Sequence, residues 1–219
     1  MFAGHIGAAL LIGRAERRIN LGVLVLAALL LDVMLWIFIL LGWESVVIRA
    51  DFATTHQPEF IFPYSHSLLA AIISSALAGA ATFLWYPQMN VLKLRAGVCV
   101  ASAVLSHWLL DALVHIPELP LVGDDSIKVG LGMWNRMPVA LSIEALITVA
   151  GLCLFLVGNP ISRTRKFWLT AGAFSLMAFT AAGMTVAPPP PSAMTMASSS
   201  LATIIAVCVL AGLLGKRAP

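Results

Sequence analysis

The sequence predicts an all-α polytopic bundle, about six transmembrane spans with a short apolar helix in front. Three observations predict it, and the first two are compositional: 60% of the 219 residues are hydrophobic and only 11% charged, against roughly 45–50% and 25% in soluble domains. The third is spacing. Apolar stretches near the roughly 20 residues needed to cross a bilayer run over about 20–42, 67–86, 96–115, 139–158, 167–187 and 198–214.

The first stretch, Met1 to Gly13, is roughly 20 Å long as a helix and too short to span comfortably. It has no basic residues ahead of its apolar run, so it reads as part of the mature protein rather than a cleaved signal. Arg14, Arg17, Arg18, Lys93, Arg95, Arg163, Arg165, Lys166, Lys216 and Arg217 all fall on alternate connections. Arg49, Lys128 and Arg136 remain for the other side. By the positive-inside rule the larger group is cytoplasmic, with both termini. The loops at 43–65, 116–138 and 188–197 then face outward from a bacterial inner membrane. Trp43, Trp85, Tyr86, Trp134 and Trp168 sit near span ends, where an aromatic belt is expected.

The net charge of +3 carries no basic run, which argues against a nucleic-acid partner; the expected surroundings are the lipid bilayer and a lipid or small-molecule substrate. Cys99, Cys153 and Cys208 are isolated in apolar stretches and read as packing residues.

The 96–115 span is the most informative. His107, Asp111 and His115 recur at intervals of four, so on a helix they share one face, roughly 6 Å apart from turn to turn. Titratable groups in hydrocarbon are costly unless they face a cavity, a metal or a partner. A His and a carboxylate at i and i+4 present nitrogen and oxygen to one point, a helical geometry that zinc hydrolases use. Asp32, inside a Leu-rich run, has no local partner and needs one from another helix. Counted from the cytoplasmic ends, His5 lies about 14 Å deep, Asp32 about 20 Å and His107 about 18 Å. From the outer side His66 and Glu144 lie roughly 5 and 9 Å deep. Ser65 reads as a helix N-cap with His66 in the first turn. His56, in a polar loop, reads as solvated. The spans after residue 159 hold no ionisable side chain, so the chain divides into a site-bearing bundle over 1–159 and a structural C-terminal hairpin over 160–219, joined through the Pro188–Pro191 run.

Gly4-His5, Leu30-Leu31-Asp32, Ser65-His66-Ser67-Leu68 and Ser106-His107-x-x-x-Asp111 together resemble the bacterial family of membrane-bound predicted metal-dependent hydrolases. The resemblance covers about residues 1–120. It implies a polytopic membrane protein whose His and Asp residues bind a divalent ion and cleave an unestablished substrate, such as a lipid ester or phosphoester. The chain departs from the family pattern at Met34, where a second acid is usual, and at Glu59–Pro63, where His-Arg is usual. Fewer ligands favour one ion over two, and Gly130–Asn135 with Glu144 is the stretch from which replacements would come. The expected site is therefore Zn or Mn held by His107, Asp111, Asp32, His66 and His5. A bound water is the expected nucleophile, with Glu144 or His115 moving the proton. A proton- or ion-coupled permease is the alternative, because intramembrane Asp, Glu and His suit an ion path equally. Against it stands the absence of inverted repeats and of paired broken helices in the sequence pattern.

Overall fold

The computed structural model describes residues 1–85 and 90–216, and of Asn90 only the backbone. Tyr86 and Arg217, named above for the aromatic belt and the basic group, lie outside the described residues. The fold is an all-α polytopic membrane bundle. Among the described residues, five helices are long and apolar enough to cross a bilayer: α5 (Leu68–Trp85), α6 (Asn90–Val114), α7 (Met137–Gly158), α8 (Arg163–Thr185) and α9 (Ala193–Leu214). The short α1 (Phe2–Ala15) precedes them.

The expected span at 20–42 is not one helix. It is a pair, α2 (Leu21–Ala28) and α3 (Leu30–Leu41), bent by 57° at Leu29. No Pro or Gly lies between Val23 and Leu41 to signal the bend. Its physical cause is a side chain entering the helical ladder: His107 Nδ1 lies 2.7 Å from the Ala28 carbonyl oxygen and takes it as acceptor. Further on, α3 ends at Gly42, whose φ of 75° is the left-handed C-cap conformation that glycine adopts without strain.

The loop from Trp43 to Ser67 contains a two-stranded antiparallel ribbon, β1 (Ser45–Val47) with β2 (Glu59–Ile61), around the one-turn α4 (Phe52–Thr55). A second small ribbon pairs β3 (Leu119–Pro120) with β4 (Lys128–Val129). These loops meet at one end of the bundle, where Leu69 N–H donates to the Leu121 carbonyl and Gln57 Nε2 donates to that of Trp134. The basic residues gather at the other end. Arg95 pairs with Glu16 at 3.0 Å and bonds the Ala15 carbonyl, and Arg165 bonds that of Lys216.

Three helix pairs cross at facing glycines, which lets backbones approach as they do in membrane interfaces rich in small residues. A Cβ added at Gly7 of α1 would lie 2.7 Å from the Ile147 carbonyl of α7, next to Gly151. A Cβ at Gly22 of α2 would lie 2.9 Å from Gly212 Cα of α9, and one at Gly97 of α6 would lie 2.7 Å from the Gly79 carbonyl of α5. In the C-terminal part, α9 rests mainly on α2 and α3 and α8 mainly on α7, with α8 also touching α1 and α9.

Trp43, Trp85 and Trp168 are exposed as a belt requires. Trp134 is not a belt residue. Its ring covers that of His115 at a centroid distance of 4.0 Å.

Candidate metal centre

Helix packing brings residues from four separate stretches to one point. His107 and Asp111, a turn apart on α6, are in contact, with Nε2 to Oδ2 at 3.0 Å. Asp32, in the first turn of α3 just past the bend, puts Oδ1 3.7 Å from both His107 Nε2 and His66 Nε2. His66 Nε2 is 3.6 Å from Asp111 Oδ2 and 3.3 Å from His107 Nε2. From α1, the His5 ring stacks on that of His107 at 3.8 Å and 9°. Its Nε2 lies 3.1 Å from Asp111 Oδ1, which also receives the Met1 amino nitrogen at 3.1 Å. His5, His66, His107 and Asp111 are all buried. The similar depths of His5, Asp32 and His107 in the sequence correspond to adjacency in space: one ligand atom from each lies within 4.8 Å of the others, and the same holds for His66, His107 and Asp111.

The second layer explains which nitrogen faces inward. A carbonyl only accepts, so His107 carries its proton on Nδ1 towards Ala28, and in the neutral ring Nε2 is a lone pair aimed at the cluster. His66 is oriented by a relay that the sequence did not reveal. Buried Glu44 accepts the backbone N–H groups of Tyr64 and Ser65 on Oε1, each at 2.8 Å. Its Oε2 accepts the Ser65 hydroxyl at 2.6 Å. With its proton given to Glu44, Ser65 Oγ accepts from His66 Nδ1 at 2.8 Å, so His66 also presents Nε2 inward. The Trp108 indole N–H bonds the His66 carbonyl at 3.0 Å and fixes the backbone there. Ser65 is thus not the N-cap. That role falls to Ser67, whose Oγ accepts from Ala70 N–H at 3.1 Å, and His66 sits ahead of α5 rather than in its first turn.

Two carboxylates, with only the Met1 amino group on Asp111 Oδ1 to offset them, leave a formal charge near −1 in an apolar bundle to be compensated. Their inward atoms form a mixed N/O set suited to zinc or manganese rather than copper. One further atom is left over: His5 Nδ1 is buried and has no hydrogen-bond partner. The residues present therefore fit a divalent ion.

Glu144 and His115 lie beside this cluster. Glu144 Oε1 accepts the Gly4 N–H at 3.1 Å, satisfying a free donor in the first turn of α1, so a structural task accounts for its burial. His115 Nε2 is 3.9 Å from Asp111 Oδ1, while Nδ1 makes a 2.6 Å bond to Glu118. Glu118 escaped the sequence reading because it lies past the span in an ordinary polar loop. From the 130–135 stretch the site receives the Trp134 ring against His115 and no ionisable group. A cavity of about 580 Å³ opens onto Asp32, His66, Asp111, His115 and Glu144. His56 is not fully solvated. It is half-buried, adopts φ 52°, and lines this cavity.

Fold and site together define a multi-pass integral membrane protein with a buried His/Asp group able to bind a metal ion. No protein-family model matches the chain, and no curated protein or solved structure matches it.

Proposed function

We propose that the protein is a metal-dependent hydrolase of a bacterial inner membrane, akin to the membrane-bound hydrolases that its His and Asp motifs resemble. The observation that carries the reading is the pair of inward Nε2 atoms, 3.3 Å apart, each set by an outward bond from its own Nδ1. Histidines that ligate metals typically commit their other nitrogen in this way. His66, His107, Asp32 and Asp111 would hold zinc or manganese, with His5 as a further ligand. When bound, such an ion supplies Lewis-acid activation of water and of the scissile group. His115, with Nδ1 held by Glu118, keeps Nε2 towards Asp111 and is placed to take and return a proton there. Glu144, on the same cavity, has Oε2 free of its bond to Gly4 for the same task. The positive-inside pattern supports an outward-facing position for the loop residues His56, Gln57 and Trp134 that line the cavity.

One observation favours a second reading, a proton- or ion-coupled permease: the span broken at Leu29 beside Asp32 is a device that transporters use at their ion sites. Metal content separates the two. Protein purified without chelator and supplied with zinc or manganese is expected to hold at least one ion per chain. A trace far below that, together with pH-dependent uptake into proteoliposomes, would replace the hydrolase by the permease.

The Glu44–Ser65–His66 relay gives a finer test. Ser65→Ala removes the acceptor for His66 Nδ1 without adding bulk, and loss of such an outer partner typically weakens metal binding 10–100-fold. Competition with a chromophoric chelator measures it. A change below about twofold would show that the hydroxyl does not orient the ring.

A further inference from the structure

Helices α8 and α9 are neighbours in sequence but lean on different partners, and a cleft runs between them. Two cavities occupy it and share Phe179 and Thr203. The first is the cavity of the His/Asp cluster. The second, about 810 Å³, extends towards the basic end between hydrocarbon walls that include Leu10, Val25, Leu152, Leu176 and Val207. Along α8 the joint lining runs from Trp168 to Met184, roughly 24 Å of helix in a hydrocarbon layer about 30 Å thick.

Polarity is graded along this path. The charged cluster comes first, then a band of hydroxyls from Thr180, Ser199, Ser200 and Thr203, then side chains that are almost wholly apolar. Thr180 Oγ1 is buried without a hydrogen-bond partner, at the head of the apolar part. Gly172 and Gly183 line the cleft too, and a Cβ added at either meets nothing within 4 Å.

An occupant that matches this order is polar at one end, has an oxygen-bearing linkage next, and ends in a flexible hydrocarbon chain. A transmembrane helix does not match that order, because its apolar surface would leave the buried carboxylates at the head of the path without a polar partner. Resting on the hydrolase reading for its polar end, we propose that the substrate is a membrane lipid whose alkyl chain lies in the α8–α9 cleft, its linkage beside the hydroxyl band and its scissile head group at the His/Asp cluster. The C-terminal helices, charged only in the first turn of α8, then select the substrate by its chain.

The test uses full-length protein in phosphatidylcholine nanodiscs and lysophosphatidic acid bearing a diazirine at the end of a hexadecanoyl chain. After photolysis, labelled positions are mapped by peptide mass spectrometry. Labelling per residue is expected to be at least tenfold higher on the cleft faces of 168–176 and 207–214 than on Leu77 and Leu84, which are exposed on α5. Gly172→Phe projects into the open space and should lower cleft labelling at least fivefold, with α5 labelling and bound metal unchanged. Cleft labelling no higher than that of α5, or equal in the variant, overturns the proposal. If the wild type binds no metal but the cleft is labelled and Gly172→Phe blocks it, the chain site stands and the hydrolase reading falls.

Discussion

His107→Ala and Asp111→Ala each remove most of the bound divalent metal, by at least two orders of magnitude in affinity. The expectation follows from how much each residue does. His107 Nε2 lies within 3.7 Å of Asp32, His66 and Asp111, so its loss takes away the donor nearest the middle of the set. Asp111 supplies both oxygens, Oδ2 towards His107 and His66 and Oδ1 towards His5. Without it one of the two carboxylates that attract a dication is gone and the Met1 amino group loses its partner. His107→Ala also deprives the Ala28 carbonyl of its donor, so a folding defect could imitate loss of a ligand. Asp32→Asn serves as the control, because it keeps the shape and removes only the charge. It should lower metal content while circular dichroism and gel-filtration behaviour stay those of the wild type. Metal is read by plasma mass spectrometry after exchange into metal-free detergent buffer. Full occupancy in Asp111→Ala would remove the cluster as the metal site.

Gly151→Ala is expected to destabilise the bundle markedly. The added Cβ falls far inside contact distance of the Gly7 carbonyl, so the listener to the strain is backbone on both sides and neither helix can yield by turning a side chain. Overpacking of this kind typically costs about 1–3 kcal/mol, which corresponds to roughly 2–12 °C in Tm for a chain of this size. His5 sits two residues from Gly7, so metal affinity should fall with Tm although no ligand has changed. Gly172→Ala is the matched control. It is also a helix-interior glycine, but it faces open space, and the same methyl should stabilise by about 0.5–1 kcal/mol. Thermal melts of the two variants with opposite signs of shift would establish the crossing as the cause. Equal shifts would refute it.

The bundle was legible because hydrocarbon sets a length, and each apolar stretch declares itself by that length and by its neighbouring charges. His5, Asp32, His66, His107 and Asp111 were legible for the same reason: in an apolar span an ionisable side chain stands out. The outer layer was not. Glu44 follows a tryptophan at a span end and reads like any interfacial acid, and only the folded loop carries it over Ser65. The bend at Leu29 was invisible because its cause is not in the segment that bends. A histidine 79 positions along the chain takes the carbonyl, and local sequence holds no trace of a long-range bond. The sequence pointed to Ser65 as the cap, but Glu44 claims its hydroxyl and Ser67 takes the role.

The packing of α1 against α7 has a consequence for how the protein is made. The Gly4 N–H finds its acceptor on Glu144, 140 residues further along. At roughly 5–20 residues per second of synthesis, the first helix waits about 7–28 s for the partner that holds it. Until then α1 lacks its α7 wall and the cavity lacks Glu144, although His5 already has His107 and Asp111 to pack against. The cavity therefore closes only as a late step of biogenesis.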